Sequence, residues 1–116
     1  MKTVIYHNNR CGKSRCALQV LEETGVPFEL VEYLKTPLSA AEIRELLKKL
    51  GKKPLEIIRT KEAVFKENFQ GKDFTDEAWI AAMVEHPILM ERPIIVRGEE
   101  AWIARDEAAL ERLRNG

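Results

Sequence analysis

The sequence lacks a net charge and lacks long hydrophobic runs. It has 19 Lys and Arg residues against 19 Asp and Glu residues, so no overall field attracts nucleic acid or an anionic membrane. The longest apolar runs span only a few residues, whereas a transmembrane helix needs about 20. The N-terminal residues also lack the apolar core of a secretory signal. We therefore expect a cytoplasmic protein that binds neither nucleic acid nor membrane.

Cysteine is equally scarce, since the chain contains only Cys11 and Cys16. This count argues against a disulfide-stabilised scaffold, and cytoplasmic thiols are usually kept reduced. The C-x4-C spacing matches neither the C-x-x-C redox motif nor the usual paired zinc ligands. The two thiols are therefore expected to be catalytic, redox-active or simply buried.

The first third of the chain predicts a strand, a helix and a second strand. Residues 3–7 are rich in β-formers and end at an Asn-Asn turn. Apolar residues then recur at helical spacing over about 12–24, and Gly25 is placed to end that helix. After a Val-Pro break, residues 28–33 predict the second strand.

The middle of the chain predicts helices. Ser39 and Glu42 form a capping box, and Gly51 ends the helix that follows. A less sharply marked helical stretch covers 55–69, and Thr75 caps another helix. The buried faces of the two capped helices are predicted to contain Ile43, Leu46, Leu47, Leu50, Trp79, Ile80, Met83 and Val84.

The last quarter predicts a hairpin and a final helix. Residues 93–96 and 101–103 flank a turn near Gly98, and Asp106 caps the helix. The whole order is βαβ, several helices and ββα. This order is that of a thioredoxin-like α/β fold with a helical insertion between its two halves. We expect a single domain over residues 1–116.

Cys11 lies in the loop after the first strand, at the start of the first helix. The first βα loop and helix N-terminus form the natural reactive site of such a fold. A helix N-terminus and nearby cations lower a cysteine pKa from about 8.5 to between about 3.5 and 7.5. Because Cys11 follows a polar turn, we favour a reactive thiolate over an inert buried thiol. Three cations are close to it in sequence: Arg10, Lys13 and Arg15.

The run that follows Cys11 predicts an anion-binding cradle. Gly12 lets backbone amides approach a ligand at the sulfur, and the Ser14 hydroxyl can donate a hydrogen bond to it. Arg15 adds positive charge. The predicted site is therefore a nucleophile surrounded by donors.

Cys16 leaves two alternatives open. Five residues along a regular helix correspond to about 140° of rotation, so the two sulfurs would not share a face. A disulfide with Cys11 requires Cys11 to lie off the helix, or the first turn to open. Otherwise Cys16 packs at the edge of the core, and we favour this packing role over a resolving cysteine.

Several ordered segments resemble the glutaredoxin-linked arsenate reductases of the ArsC/Spx-like family. The resemblance extends from about Thr3 to Leu113 and implies a thioredoxin fold. The segments that carry it are 5–8, 11–15, 33–37, 58–59, 86–89 and 91–96.

The resemblance also implies residue roles. In these reductases one cysteine thiolate attacks arsenate and three arginines hold the oxyanion, which would make Cys11 the nucleophile. The corresponding arginines would be Arg59, Arg92 and Arg105, whose planar forks suit a tetrahedral oxyanion. Pro93 is expected to follow a cis peptide bond and to face the cysteine.

His7 falls at a position that the family uses near the cysteine. At the end of the first strand, an imidazole can tune the thiolate or can simply be a hydrogen-bonded structural residue. Cys16 departs from the family pattern by adding a second thiol after Ser-Arg. It raises the possibility of a Cys11–Cys16 disulfide recycled by a thioredoxin-like partner.

The mechanism implied by the resemblance needs a thiol co-substrate. Glutathione or another small thiol would reduce the arsenic, and glutaredoxin or an equivalent would release the mixed disulfide. No metal or bound cofactor is expected, and we expect a monomer. The alternatives are a thiol-disulfide or glutathione-dependent reductase of another substrate and a non-enzymatic, Spx-like regulator that binds RNA polymerase. Spx-like proteins carry C-x-x-C at the helix start, where this chain has Ser14.

Overall fold

A computed structural model describes residues 2–115 of the chain. They form two compact units, one from the residues up to Thr36 and from Arg92 onward, the other from Pro37–Glu91. The prediction of one domain over residues 1–116 stays a prediction, and its two terminal positions lie outside the described residues.

The helices and strands follow the predicted order. No helix within residues 2–115 is long and apolar enough to cross a membrane. In chain order the elements are β1 (Thr3–His7), α1 (Gly12–Thr24), β2 (Glu29–Glu32), α2 (Ala40–Leu50), a 3-10 helix (Pro54–Ile57), α3 (Ala63–Asn68), α4 (Asp76–Glu85), a second 3-10 helix (Pro87–Leu89), β3 (Ile94–Arg97), β4 (Glu100–Ile103) and α5 (Glu107–Arg114).

The first unit is built on a four-stranded sheet with the order β2-β1-β3-β4. β1 runs parallel to β2 and antiparallel to β3, so that Ile5 pairs with Leu30 on one side and with Ile95 on the other. β3 and β4 form an antiparallel hairpin, as predicted. The βαβ and ββα halves thus share one sheet, which confirms the predicted thioredoxin-like architecture.

The core of this unit joins the sheet to α1 and α5, which pack against each other. Burying an Ile or Leu side chain fully contributes about 1.5–3 kcal/mol, so this cluster fixes the start of α1 relative to the strands. Its buried members are Ile5, Ala17, Val20, Leu21, Ile95, Trp102, Ala104, Leu110 and Leu113.

The second unit contains the best-marked helix start of the chain. The Ser39 hydroxyl accepts from the Glu42 backbone N–H at 3.2 Å, and the Glu42 carboxylate accepts from the Ser39 N–H at 3.0 Å. Gly51 ends α2 with φ 67°, a left-handed conformation that glycine adopts without a Cβ clash. The predicted capping box and helix end are both confirmed.

The helical stretch predicted over 55–69 is shorter and interrupted. Ile58 forms an isolated antiparallel bridge with Met90, and the Arg59 N–H donates to the Leu89 carbonyl at 2.7 Å. These backbone pairings hold the chain extended after the first 3-10 helix, so only the six residues of α3 are α-helical. Pairing with a distant segment has overridden local helix propensity.

α4 begins after Thr75, whose hydroxyl accepts from the Ala78 N–H at 3.2 Å, as predicted. Trp79 stacks on Phe65 with ring centroids 5.8 Å apart and forms part of an aromatic cluster. The prediction that Val84 is buried is wrong, because its exposed fraction is 37% and Ala82 is buried instead. At about 100° per residue, Val84 lies about 120° from the centre of the buried face.

Candidate active site around Cys11

Cys11 occupies the N-cap position of α1, with extended φ and ψ of −96° and 123°. Its N–H donates to the Asn8 carbonyl at 3.0 Å, and its own carbonyl accepts from the Arg15 N–H at 3.0 Å. No side chain caps this end of the helix. The backbone amides of the first turn are therefore directed at the sulfur rather than at a capping oxygen.

Burial of the Cys11 thiol raises its pKa, but several hydrogen bonds stabilise the thiolate and outweigh burial. The donors are the Ser14 backbone N–H, the side chains of Arg92 and Arg105, and the Lys13 backbone N–H. Together they lower the pKa from its ordinary value of 9.0 to about 7. A large fraction of the thiol is thus ionised at neutral pH.

Arg105 connects the cysteine to the other half of the sheet. Its Nη1 lies 3.7 Å from the Cys11 Sγ and donates to the Arg92 carbonyl at 2.7 Å. Arg92 is only 7% exposed and precedes Pro93 across a cis peptide bond, as predicted. The Pro93 carbonyl accepts from the Ala104 N–H at 3.0 Å, which fixes the segment that carries Arg105.

The cationic side chains that neighbour Cys11 in sequence do not stabilise its thiolate in the predicted way. The side chains of Arg10, Lys13 and Arg15 are not among the groups that lower the Cys11 pKa; only the Lys13 backbone contributes. The exposed Arg15 guanidinium donates to the Asn9 carbonyl at 3.2 Å. The stabilising side chains come instead from residues more than 80 positions away, which no local motif could reveal.

Ser14 and His7 form a buried polar network under the cysteine loop. The Ser14 Oγ lies 2.7 Å from the His7 Nδ1 and accepts from the Asn8 N–H at 3.0 Å. Ser14 is fully buried, so the predicted hydrogen bond from its hydroxyl to a ligand at the sulfur is wrong. The hydroxyl links β1, the loop and α1, while the Ser14 backbone N–H donates a hydrogen bond to the Cys11 thiolate.

Gly12 is not required by the protein's own packing. A Cβ added there would meet only the Arg15 Nη2, at 3.8 Å, which is ordinary van der Waals contact. A role for this glycine in admitting a ligand to the backbone amides stays a prediction.

Cys16 lies on the exposed side of α1, and both cysteines are free. The predicted packing role at the core edge is wrong, because Ser14, Ala17, Val20 and Leu21 form the buried face. Cys16 lies about 100° from Ala17 around the helix and so points away from that face.

Arg59 belongs to the second unit, where two carboxylates surround it. Its Nε donates to the Glu62 Oε2 at 3.1 Å, and its Nη1 lies 3.7 Å from the Glu91 Oε2. The side chain is 22% exposed. Its predicted role in holding an oxyanion stays a prediction.

The described part of the chain contains no group of three or more His, Cys, Asp or Glu residues that could hold a metal ion. What the first unit does bring together is a thiolate, two arginines and uncapped amides. This set can attack an electrophile and can bind the negative charge of an anion next to the sulfur.

Alkylation of Cys11 by iodoacetamide is expected to titrate with a midpoint near pH 7, following its lowered pKa. The rate should fall as the pH drops below this value, because only the thiolate is nucleophilic. Measuring the pH–rate profile in Cys16→Ser isolates the one thiol. The same variant unfolded in urea is the control and should titrate near about 8.5; equal midpoints in both states would contradict the assigned donors.

Comparison with known proteins agrees with this arrangement. The profile of the ArsC family matches residues 6–113. The chain is 50% identical over 103 residues to the uncharacterized protein YfgD of Escherichia coli K12, covering 87% of each chain. It is 38% identical to an arsenate reductase of Neisseria meningitidis serogroup B, covering 87% of this chain and 88% of that one.

Solved structures of arsenate reductases also resemble this chain. An arsenate reductase from Vibrio cholerae superimposes with a TM-score of 0.88 at 41% identity, covering 96% of this chain and 97% of that chain. Because the family profile covers nearly the whole chain and the relatives match most of its length, this protein belongs to the ArsC family.

Proposed function

We propose that this protein is a thiol-dependent arsenate reductase with Cys11 as its nucleophile. The observation that carries the proposal is the Cys11 sulfur, with a pKa lowered to about 7, lying 3.7 Å from the Arg105 guanidinium. The relatives named arsenate reductase, at 37–41% identity, support the same chemistry. An electron-rich sulfur beside cations suits an electrophile that is itself a tetrahedral oxyanion.

In the first step, the Cys11 thiolate attacks the arsenic atom of arsenate. A sulfur–arsenic bond forms and one arsenic–oxygen bond breaks, with the oxygen leaving as water after it takes up protons. Arg92 and Arg105 would hold the remaining oxygens and balance the charge that develops on them. We propose Arg59 as a third arginine on the basis of the family resemblance.

In the second step, the thiolate of a small thiol attacks the Cys11 sulfur. A disulfide forms, and the electron pair of the sulfur–arsenic bond remains on arsenic, which is thereby reduced from As(V) to As(III) and leaves as arsenite. A second thiol then attacks the mixed disulfide and restores the Cys11 thiolate. Two thiols are oxidised for each arsenate reduced. We propose that glutathione and glutaredoxin supply these thiols. We also propose that the enzyme is a monomer and works in the cytoplasm, where thiols stay reduced.

The test is an arsenate-dependent turnover assay on the purified protein. Glutathione with glutaredoxin and, separately, thioredoxin with its reductase are supplied, and NADPH consumption and arsenite are measured. We expect arsenite to appear with the glutathione system. Disulfide reduction without any response to arsenate would favour a reductase of another substrate. No turnover with either system would contradict the proposed activity and would favour the alternative of a non-enzymatic, Spx-like regulator.

Cys16→Ser is expected to keep glutathione-supported turnover, because the mechanism uses only one enzyme thiol. Since Cys16 is exposed, the free energy of unfolding should change by no more than about 0.5 kcal/mol. Turnover and urea unfolding curves measure the two effects. A folded variant that loses turnover while Cys11 remains reactive would show instead that Cys16 resolves Cys11. A Cys11–Cys16 disulfide, detected by mass spectrometry, would support that outcome and thioredoxin-type recycling.

A further inference from the structure

Two carboxylates flank Arg59, the arginine that the proposed function takes from the second unit. Its Nε donates to the Glu62 Oε2 at 3.1 Å, and its Nη1 lies 3.7 Å from the Glu91 Oε2. The three side chains are mostly buried, with exposed fractions of 22%, 25% and 24% respectively. Partly buried charges are screened by salt much less than exposed ones. An anion that binds to Arg59 therefore interacts with both carboxylates.

The backbone places Glu91 beside Arg59 independently of the ion pair. The Glu91 N–H donates to the Ile57 carbonyl at 2.8 Å, and the Arg59 N–H donates to the Leu89 carbonyl at 2.7 Å. Residues 57–59 and 89–91 thus run side by side as a short antiparallel pair. Main-chain hydrogen bonds therefore hold the residue that carries this carboxylate next to the arginine.

The Arg59 guanidinium still has donors for a ligand. It carries five N–H groups, and among residues 2–115 the only hydrogen bond recorded from it is the one from Nε to Glu62. Its Nη1 and Nη2 donors suit the oxygens of a tetrahedral anion. An anion oxygen bound at Nη1 would lie beside the Glu91 Oε2, because that carboxylate oxygen is 3.7 Å from the same nitrogen.

Tetrahedral oxyanions differ in what they present to a carboxylate. At neutral pH, sulfate carries only acceptor oxygens, whereas phosphate and arsenate keep at least one hydroxyl. Ionised oxygens are repelled by a carboxylate, but a hydroxyl donates a charge-assisted hydrogen bond to it. A site built to bond a substrate hydroxyl rejects the analogue that lacks it. A carboxylate at the bound anion therefore selects oxyanions by their protonation state.

We propose that Glu91 determines specificity by accepting a hydrogen bond from the hydroxyl of a protonated oxyanion. Arg59 binds an ionised oxygen of the same anion, and Glu62 orients the guanidinium through its Nε. The hydroxyl keeps its proton, so no covalent bond is made or broken in this contact. The proposal rests on the proposed function for the contact between Arg59 and the substrate. Because Arg92 follows Glu91 directly in the chain, one segment supplies both a donor to the ionised oxygens and an acceptor for the hydroxyl.

Equilibrium binding of phosphate and sulfate tests this selection, since thiols reduce neither anion. In isothermal titration calorimetry at neutral pH, the wild-type protein should bind phosphate at least about tenfold more tightly than sulfate, the difference typical of one charge-assisted hydrogen bond. Glu91→Gln keeps the size of the side chain but can donate to sulfate, so the ratio of the two affinities should fall toward one. Glu91→Ala removes the acceptor and should also lose the preference.

Glu77→Gln is the matched control, because it makes the same chemical change in an exposed ion pair with Arg44 in the same unit. It should keep the wild-type ratio. Thermal unfolding shows that each variant is folded before its affinities are compared. A wild-type protein that binds the two anions equally or binds neither, or a folded Glu91 variant with the wild-type ratio, would overturn the proposal.

Arsenate turnover separates this proposal from the proposed function. Turnover in the wild type, together with an unchanged ratio in the Glu91 variants, would overturn the role of Glu91 and leave the function intact. A phosphate preference that depends on Glu91, without arsenate turnover, would support the selection of protonated oxyanions and contradict the reductase activity.

Discussion

Replacing Cys11 by serine is expected to abolish arsenate turnover, with a loss on the order of a thousandfold or more. The serine hydroxyl has the same position at the N-cap of α1, but it is essentially un-ionised at neutral pH and is a poor nucleophile without a general base. The thiolate at this position has its pKa lowered to about 7 and needs no base. Initial rates of arsenite formation measure the effect.

Cys16→Ser is the matched control for this variant, because it makes the same chemical change five residues further along α1. It is expected to behave as the wild type. The reverse pattern, with Cys11→Ser active and Cys16→Ser inactive, would contradict the assignment of the nucleophile.

Arg105→Ala is expected to lower turnover by about 10²–10³, the cost of removing one donor to a developing anion, about 2.7–4 kcal/mol. Arg105 is one of the donors that hold the Cys11 pKa down, so the midpoint of Cys11 alkylation should also move above pH 7. The pH–rate profile of alkylation and the turnover rate report these two effects separately.

Two further variants sharpen this prediction. Arg105→Lys keeps the charge but loses the planar guanidinium, whose Nη1 reaches both the Cys11 sulfur and the Arg92 carbonyl, so it should rescue turnover only in part. Arg114→Ala removes an arginine whose partners are Glu107 and Glu111 on the surface of α5, and it should have no effect on turnover. Equal loss in Arg105→Ala and Arg114→Ala would indicate a general charge effect rather than contact with the thiolate.

The fold was largely predictable because the ends of its helices are marked by capping residues and glycines close by in sequence. The capping box of Ser39 and Glu42 and the glycine after α1 act within one turn of the helix they delimit. The segment around Ile58 was mispredicted because its conformation depends on pairing with Met90, a residue far away in sequence.

The sequence located the candidate nucleophile, but it did not reveal most of the residues that surround it. Position alone identified Cys11, since a loop residue at a helix start meets unpaired amides. The side chains that stabilise its thiolate are Arg92 and Arg105, and the family resemblance suggested them where local sequence pointed to the adjacent cations. The inward turn of Ser14 toward His7 had no signal, because a polar residue in a first turn ordinarily faces solvent or a ligand.

The start of α1 has no side-chain oxygen as its cap, so the stability of this helix end depends on the ionisation of Cys11. Serine is among the best N-cap residues, typically worth about 1 kcal/mol over a side chain that cannot cap. At pH 6, where most of the Cys11 thiol is protonated, the inactive Cys11→Ser variant should therefore melt at a higher temperature than the wild type. Because the folded-state pKa of Cys11 is lowered to about 7, the thiolate's own stabilisation is fully present above the unfolded-state pKa and is lost as the pH falls through 7. The melting temperature of Cys11→Ser relative to the wild type should thus fall from pH 6 to pH 9, and a difference independent of pH would show that the thiolate does not stabilise the start of α1.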